Sequence, residues 1–178
     1  MVCNLEHIKI AREKFEAYDS NVWIKDGFPE MNIRGFYEGT GGFIVHHKEH
    51  KFSKACGGGD AEKEVGCKLA EYNGKQVEFL AEGVRKGPDI MFDCETWDIK
   101  YIDYANENTI RKYMLDARKA NNAIFYWKTN ERLSDLRCAL RREIGRLIKG
   151  QIKMLPSIYY IDNKGLLTLL WTNEKGTT

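Results

Sequence analysis

The sequence lacks a long apolar run, since none approaches the roughly 20 residues that a membrane-spanning helix needs. We therefore expect no membrane segment. The first residues, MVCNLEHIKIAREKF, are charged throughout, so no signal peptide is expected there. If the chain is a fragment of a larger secreted protein, its export signal would lie elsewhere. No internal repeat and no low-complexity tract is visible, which excludes a repeat architecture.

Cysteine is scarce and shows no pairing pattern. The chain has five cysteines, an odd number, and no two of them form a CxxC pair. This usage is typical of reduced thiols in a cytoplasm-like compartment. We therefore expect the chain to act in a cytoplasm.

The chain also lacks a large excess of either acidic or basic residues. The net charge is +2, with a pI near 8.2, which is too weak to identify a nucleic-acid partner by itself. Hydrophobic residues make up 43% of the 178 residues, enough for a real core. The length predicts one globular unit, with residues 1–50 as an N-terminal helix and extension and residues 51–178 as the main domain.

Hydrophobic periodicity predicts alternating helices and strands. Helices are expected at 5–18, 61–72, 107–121 and 130–150. Asp60 is the expected N-cap of the second helix. Strands are expected at 41–47, after the Asn-Gly turn at 73–74, in a hairpin within 87–100, at 122–128, and in a closing hairpin that turns at 162–165. This order predicts an α/β fold with a mixed central sheet flanked by helices.

The hairpin GPDIMFDCETWDIK, residues 87–100, carries an unusual set of charges. If a two-residue turn lies at Cys94 and Glu95, then Asp89, Asp98 and Lys100 gather on one face of the hairpin, because directly paired residues point to the same side. The apolar side chains of the hairpin fall on the opposite face: Ile90, Phe92, Trp97 and Ile99.

Two carboxylates this close repel each other unless a cation lies between them. Hard oxygen ligands suit Mg²⁺ or Mn²⁺, and such an ion polarises a phosphate oxygen and activates water. Lys100 could orient that water or neutralise charge that develops in the transition state. The alternative is a half-exposed hairpin whose polar face is merely solvated.

The Pro-Asp pair at 88–89 and the Asp-Ile-Lys triplet at 98–100 resemble the signature of the PD-(D/E)xK nuclease superfamily. This resemblance implies a restriction-endonuclease-like core, a metal bound by Glu62, Asp89 and Asp98, and catalysis with Lys100. Glu62 comes from the segment AEKEVGCKLAEYNGKQVEFL, and Glu64 is the alternative. Glu is frequent in this superfamily at the position of Asp98, whose shorter side chain has a shorter reach.

Within the superfamily, residues 57–127 resemble toxin domains at the C-termini of CdiA proteins, which belong to contact-dependent growth inhibition systems. Some of these domains cleave tRNA. The resemblance implies a tRNA nuclease toxin that acts in the cytoplasm of a target cell and is blocked by an immunity protein. A DNase of a phage or mobile element is the main competitor.

Nucleic-acid contacts are expected from two segments. The resemblance implies that Asn106, Asn108 and Thr109, at the start of the third helix, touch phosphate, although helix capping would explain the asparagines equally well. Residues 128–153 hold eight basic and three acidic residues, a local excess of five that includes Lys128 and Arg141. Such a stretch would attract phosphate. The alternatives are a wet helix face and a docking surface for an acidic immunity protein.

A histidine cluster leaves further alternatives open. His46, His47 and His50 lie near Cys56, and His46, His50 and Cys56 could bind Zn²⁺. One of the histidines could instead be the general acid or base of a metal-independent RNase. A solvated strand end is the plainest interpretation, and a non-enzymatic interaction module remains the third class of function.

Overall fold

The computed structural model describes residues 5–54, 57–83, 87–104, 106–127, 133–151 and 154–172. The chain forms two compact units within Met1–Thr96 and Trp97–Thr178, called unit 1 and unit 2 below. Each unit contains strands of a mixed sheet together with helices, so the predicted α/β fold is confirmed. The predicted division after residue 50 stays a prediction.

Unit 1 holds four short strands. Strand β1 pairs antiparallel with β2, β2 pairs parallel with β3, and β3 pairs antiparallel with β4. The strands are β1 (Trp23–Ile24), β2 (Phe43–His47), β3 (Gln76–Phe79) and β4 (Ile90–Phe92). The parallel pair requires a crossover connection, which the second helix of the chain provides.

The helices of unit 1 cover opposite faces of this sheet. Helix α1 (Leu5–Ala17) packs through Ala11 on the face that carries Phe43. Helix α2 (Gly58–Asn73) lies on the other face, where Gly66 approaches Phe79. The side chains alternate along each strand, so both faces are apolar and both are used.

Unit 2 has a parallel sheet with one antiparallel edge. Strand β5 (Glu95–Ile102) begins in unit 1, and its residues from Trp97 onward belong to unit 2. It pairs parallel with β6 (Asn122–Trp127), which pairs parallel with β7 (Ser157–Ile161). Strand β8 (Leu167–Trp171) closes the edge in antiparallel orientation. All six residues of β6 are buried, as predicted for a central strand.

Two helices cross over between the parallel strands of unit 2. They are α3 (Glu107–Asp116), which continues into a 3₁₀ turn at Ala117–Lys119, and α4 (Leu133–Lys149). Both pack on one face of the sheet, where Ile102 of β5 joins their core. Because side chains alternate along β5, Asp98 and Lys100 lie on this same face.

Two local predictions were wrong. The β4–β5 turn lies at Asp93 and Cys94, which have φ of 54° and 62°, and not at Cys94 and Glu95. A two-residue hairpin loop of this kind needs both central residues in the left-handed region, which Asp tolerates better than most residues. Helix α2 begins at Gly58, with Gly57 as its N-cap, so Asp60 lies in the first turn near the positive end of the helix dipole.

None of the helices within the described ranges combines the length and the apolar character that a membrane span requires.

Candidate metal and nucleic-acid site

Asp98 and Lys100 are buried charges on β5. The side chain of Asp98 is 0% exposed, and Lys100 is 7% exposed. Nζ of Lys100 lies 2.5 Å from Oδ2 of Asp98 and 5.8 Å from the centre of the Tyr113 ring on α3. The structure therefore brings the two charged residues of the Asp-Ile-Lys triplet together as a buried ion pair. The alternative prediction of a solvated polar face is wrong for these two residues.

A second ammonium contacts the same carboxylate. Nζ of Lys119 lies 2.6 Å from Oδ1 of Asp98. Lys119 ends the 3₁₀ turn that leads into β6, and β6 runs parallel to β5 with Ala123 opposite Asp98. Sequence reasoning missed Lys119. Its only signal is a lysine just before an apolar strand, and that signal has meaning only once β6 is known to pair with β5.

Asp98, Lys100 and Lys119 form what we call the Asp98 cluster. Taking ions out of water costs several kcal/mol for each, so a buried ion group adds little net stability. Such groups occur where a protein needs a particular charge in a particular place. The described contacts of this cluster join one carboxylate to two ammoniums.

Glu62 lies on the buried face of α2 in unit 1, and it is 9% exposed. Its Oε2 accepts a long hydrogen bond of 3.4 Å from the backbone N–H of Ser53 and lies 3.8 Å from Nε2 of His50. Glu64, the alternative to Glu62, is only partly buried. Oε2 of Glu62 therefore lies next to an imidazole and accepts one long hydrogen bond.

His50 is fixed by the end of β3. Its Nδ1 lies 2.6 Å from the carbonyl oxygen of Leu80, which can only accept, so Nδ1 carries the proton. The imidazole packs edge-on against Phe52 and Phe79, with ring centroids 4.5 Å and 5.2 Å away. Its Nε2 is buried and has no hydrogen-bond partner within the described ranges.

Asp89 approaches the same end of the sheet in unit 1. Its carbonyl oxygen accepts a 3.0 Å hydrogen bond from the backbone N–H of Leu80, the residue whose carbonyl oxygen holds His50. The segment that leads into β4 therefore lies beside the strand end that positions His50. The structure thus gathers Glu62 and His50 in unit 1, and Asp98, Lys100 and Lys119 in unit 2.

The other histidines differ from His50. The His46 imidazole packs against Phe28, and burial lowers its pKa below the ordinary value, with repulsion from His50 and Lys63 acting in the same direction. His47 packs edge-on against Trp23. Cys56, the other member of the zinc alternative, lies outside the described residues. Over the part of the chain that is described, no three His, Cys, Asp or Glu side chains are grouped to hold a metal ion.

The start of α3 follows the capping interpretation. Asn106 is the N-cap, and its Oδ1 accepts a 3.0 Å hydrogen bond from the backbone N–H of Thr109. Asn108 is exposed. Contact of these residues with phosphate stays a prediction.

The basic stretch of α4 is largely paired. Arg142 and Arg146 form ion pairs with Glu107 on α3, and these contacts hold the pKa of Glu107 below its ordinary value, Arg146 most strongly. Glu143 is 0% exposed and also pairs with Arg146. Arg141 is exposed, and Lys128 lies outside the described residues. Much of the local charge excess therefore ties α4 to α3.

A solved structure described as a CdiA-CT/CdiI toxin and immunity complex from Burkholderia pseudomallei is similar to this chain. The two share 15% sequence identity, with a TM-score of 0.47, over 70% of this chain and 96% of that chain. No protein-family model matches the chain, and no curated protein sequence does. Both the resemblance to CdiA toxin domains and membership of the PD-(D/E)xK superfamily stay predictions.

Proposed function

We propose that the chain is a metal-dependent nuclease with a restriction-endonuclease-like centre made of Glu62, Asp89, Asp98 and Lys100. The observation that carries the proposal is the burial of Asp98 at 0% exposure between the ammoniums of Lys100 and Lys119. A chain that needed only stability would do as well or better with apolar residues at these positions. The cluster therefore favours chemistry on a phosphate.

Two atoms, one of Glu62 and one of His50, could contribute to a cation site that needs further ligands. Oε2 of Glu62 has only one long hydrogen bond, and Nε2 of His50 has no hydrogen-bond partner among the described residues. Both are atoms that bind metals. Glu62, Asp89 and Asp98 would hold Mg²⁺ or Mn²⁺, with Zn²⁺ as the alternative. When bound, such an ion polarises a phosphate oxygen and lowers the pKa of a water ligand.

The lysines have separate roles in this proposal. Lys100 turns toward the scissile phosphate, where its ammonium neutralises developing charge or orients the attacking water. Lys119 stays on Oδ1 of Asp98 and compensates that carboxylate when Lys100 leaves it. The side chain of Lys119 is 16% exposed but its Nζ is buried beside the carboxylate, so contact with a bound anion requires this ammonium to move.

For the substrate we propose tRNA in preference to DNA, and for the partner an immunity protein that covers the centre. Both come from the resemblance to CdiA toxin domains, and such a toxin would act in the cytoplasm of its target cell. A small acidic open reading frame immediately downstream of this one would support the pairing of toxin with immunity protein.

A second candidate function rests on His50. A buried imidazole with a fixed Nδ1–H and a carboxylate 3.8 Å from Nε2 is also the arrangement of a general base with its neighbour. The chain would then be an RNase that needs no metal. Full cleavage of RNA in excess EDTA would favour this candidate over the metal-dependent nuclease.

The test incubates purified protein with total tRNA and, separately, with supercoiled plasmid, each with Mg²⁺, Mn²⁺ or EDTA. Asp98→Asn keeps the shape of the side chain and removes its charge, and Lys100→Met removes the ammonium. Asp103→Asn, an exposed carboxylate just after β5, is the matched control.

We expect cleavage of tRNA that requires metal, a loss of about 100-fold in each of the two site variants, and normal activity of Asp103→Asn. Unchanged activity of Asp98→Asn and Lys100→Met would contradict the proposed centre. Absence of any cleavage by the wild-type protein would favour a non-enzymatic interaction module.

A further inference from the structure

We propose that Nε2 of His50 is a ligand of the metal centre beside Glu62, and that this nitrogen makes the centre prefer Zn²⁺, Co²⁺ and Mn²⁺ over Mg²⁺. The inference rests on the proposed function for Glu62 as a metal ligand. It adds a ligand that the PD-(D/E)xK signature does not contain.

The orientation of His50 is that of a metal-binding imidazole. Metal-bound histidines almost always donate the other ring N–H to a carbonyl or carboxylate, which fixes the tautomer. Here Nδ1 lies 2.6 Å from the carbonyl oxygen of Leu80, so in the neutral imidazole the lone pair is on Nε2. The side chain is 3% exposed, so water does not reach this nitrogen freely.

The distance between the two proposed ligand atoms fits a shared ion. Ligands about 2.0–2.2 Å from one Zn²⁺ lie about 3.0–3.6 Å from each other. Nε2 of His50 and Oε2 of Glu62 are 3.8 Å apart, so a small rotation of the Glu62 carboxylate closes the gap. A hydrogen-bonded ion pair would need about 2.7–2.9 Å between these two atoms, and the observed 3.8 Å is too long for it.

Two buried groups that accept and do not donate to each other need a positive species between them. Oε2 of Glu62 has only the 3.4 Å contact from Ser53, and Nε2 has no hydrogen bond inside the described ranges. Phe52 and Phe79 wall the imidazole, so Nε2 cannot turn to bulk water, whereas the Glu62 side chain keeps 12% of its surface exposed. A metal ion satisfies both atoms at once.

The donor set decides which ion binds. Mg²⁺ prefers oxygen ligands and keeps several waters, whereas imidazole nitrogen suits Zn²⁺ and the other transition metals. Along the divalent series, affinity at a nitrogen-containing site rises from Mn²⁺ through Co²⁺. A His50 ligand therefore raises affinity for these ions and leaves Mg²⁺ affinity nearly unchanged.

The experiment measures binding in the absence of nucleic acid. Co²⁺ is added to the full chain and followed by its visible absorption, and Zn²⁺ and Mg²⁺ are titrated by calorimetry. The variants are His50→Gln and Glu62→Gln, with His47→Gln from the same strand end as the control. We expect His50→Gln to weaken Co²⁺ and Zn²⁺ binding at least about tenfold, with Mg²⁺ binding and the control unchanged.

A second measurement uses the unaltered protein, in case His50→Gln does not fold. Long-range ¹H–¹⁵N spectra of the imidazoles should show His50 with its proton on Nδ1 and a large shift of Nε2 on addition of Zn²⁺. An Nε2 resonance that does not move at saturating Zn²⁺, or a His50→Gln protein that binds Zn²⁺ as tightly as wild type, overturns the inference.

These outcomes separate the inference from the proposed function. Binding of Zn²⁺ that depends on His50 in a protein that cleaves neither tRNA nor plasmid leaves the inference standing and removes the nuclease. If cleavage requires Mg²⁺ and the carboxylates but His50 does not bind Zn²⁺, the proposed nuclease stands and the inference about His50 is removed.

Discussion

Nζ of Lys119 lies 2.6 Å from Oδ1 of Asp98, a carboxylate with no exposed surface. Lys100 occupies the other oxygen of the same carboxylate at 2.5 Å. The two ammoniums come from different elements, one from β5 and one from the turn before β6. The carboxylate is therefore held by the pairing of the two strands, and its charge is compensated twice.

We expect Lys119→Gln to weaken both function and stability. Asp98 would keep one ammonium, so the loss in the free energy of unfolding should be about 2 kcal/mol, as for a hydrogen bond to a charged group. Measured with urea, this loss should exceed that of Lys112→Gln, an exposed lysine on α3. In the nuclease assay KM for RNA should rise more than kcat falls, because the lost ammonium helps to bind the anion. An unchanged KM would limit Lys119 to a structural role.

The sequence predicted the order of helices and strands because their signals are local. Strand β6 is predicted by its apolar run alone. Helix α4 is predicted by apolar residues that recur at helical spacing, namely Leu136, Leu140, Ile144 and Leu147. The Asp-Ile-Lys triplet was likewise visible, because alternation along a strand brings its two charges to one face.

The parts of the site that the sequence did not predict depend on tertiary structure. Lys119 meets Asp98 only through the register of β5 with β6, and Glu62 meets His50 only after α2 packs on the sheet. Part of the basic excess of α4 is used inside the fold for a similar reason. Glu143 counts as a surface acid in the sequence, yet it is completely buried and pairs with the arginines around it.

Glu143→Gln should lower the free energy of unfolding by about 2 kcal/mol. Breaking a buried pair costs about 3–5 kcal/mol when the remaining charge is also buried. Here Arg111, whose Nε lies 2.7 Å from the carboxylate, and Arg146 are both partly exposed and can turn to water, so the cost is lower. Urea unfolding measures it. Glu107→Gln is the control, because Glu107 also pairs with Arg146 but is partly exposed. Its effect on the free energy of unfolding should be clearly smaller and should disappear in 1 M salt. Equal effects of the two substitutions would contradict a buried role for Glu143.

Gly42→Ala should destabilise unit 1 strongly. A Cβ at this position would lie 1.8 Å from the carbonyl oxygen of Ala70, because the start of β2 passes against the end of α2. Both partners are backbone, so relief requires the helix to move, and we expect a loss of about 3 kcal/mol in thermal or urea unfolding. Gly39→Ala is the matched control, since a Cβ there meets nothing within 4 Å. A Gly42→Ala protein as stable as this control would show that β2 and α2 do not approach as described.

Cys94→Gly should stabilise the chain. Cys94 has φ of 62° in the turn after β4, a conformation that costs an L-residue about 1–2 kcal/mol and glycine nothing. Glycine also adds freedom to the unfolded chain, which takes back about 0.5–1 kcal/mol. The net gain should therefore be about 0.5–1 kcal/mol in urea unfolding.

The same substitution of cysteine by glycine inside a helix should change the free energy of unfolding in the opposite direction. Cys138 is exposed on α4, where glycine lacks any conformational advantage, so Cys138→Gly should lower stability by about 0.3 kcal/mol. Because both cysteines are exposed, loss of the thiol contributes similarly in the two variants. A turn with the ordinary negative φ at Cys94 would make both substitutions destabilising.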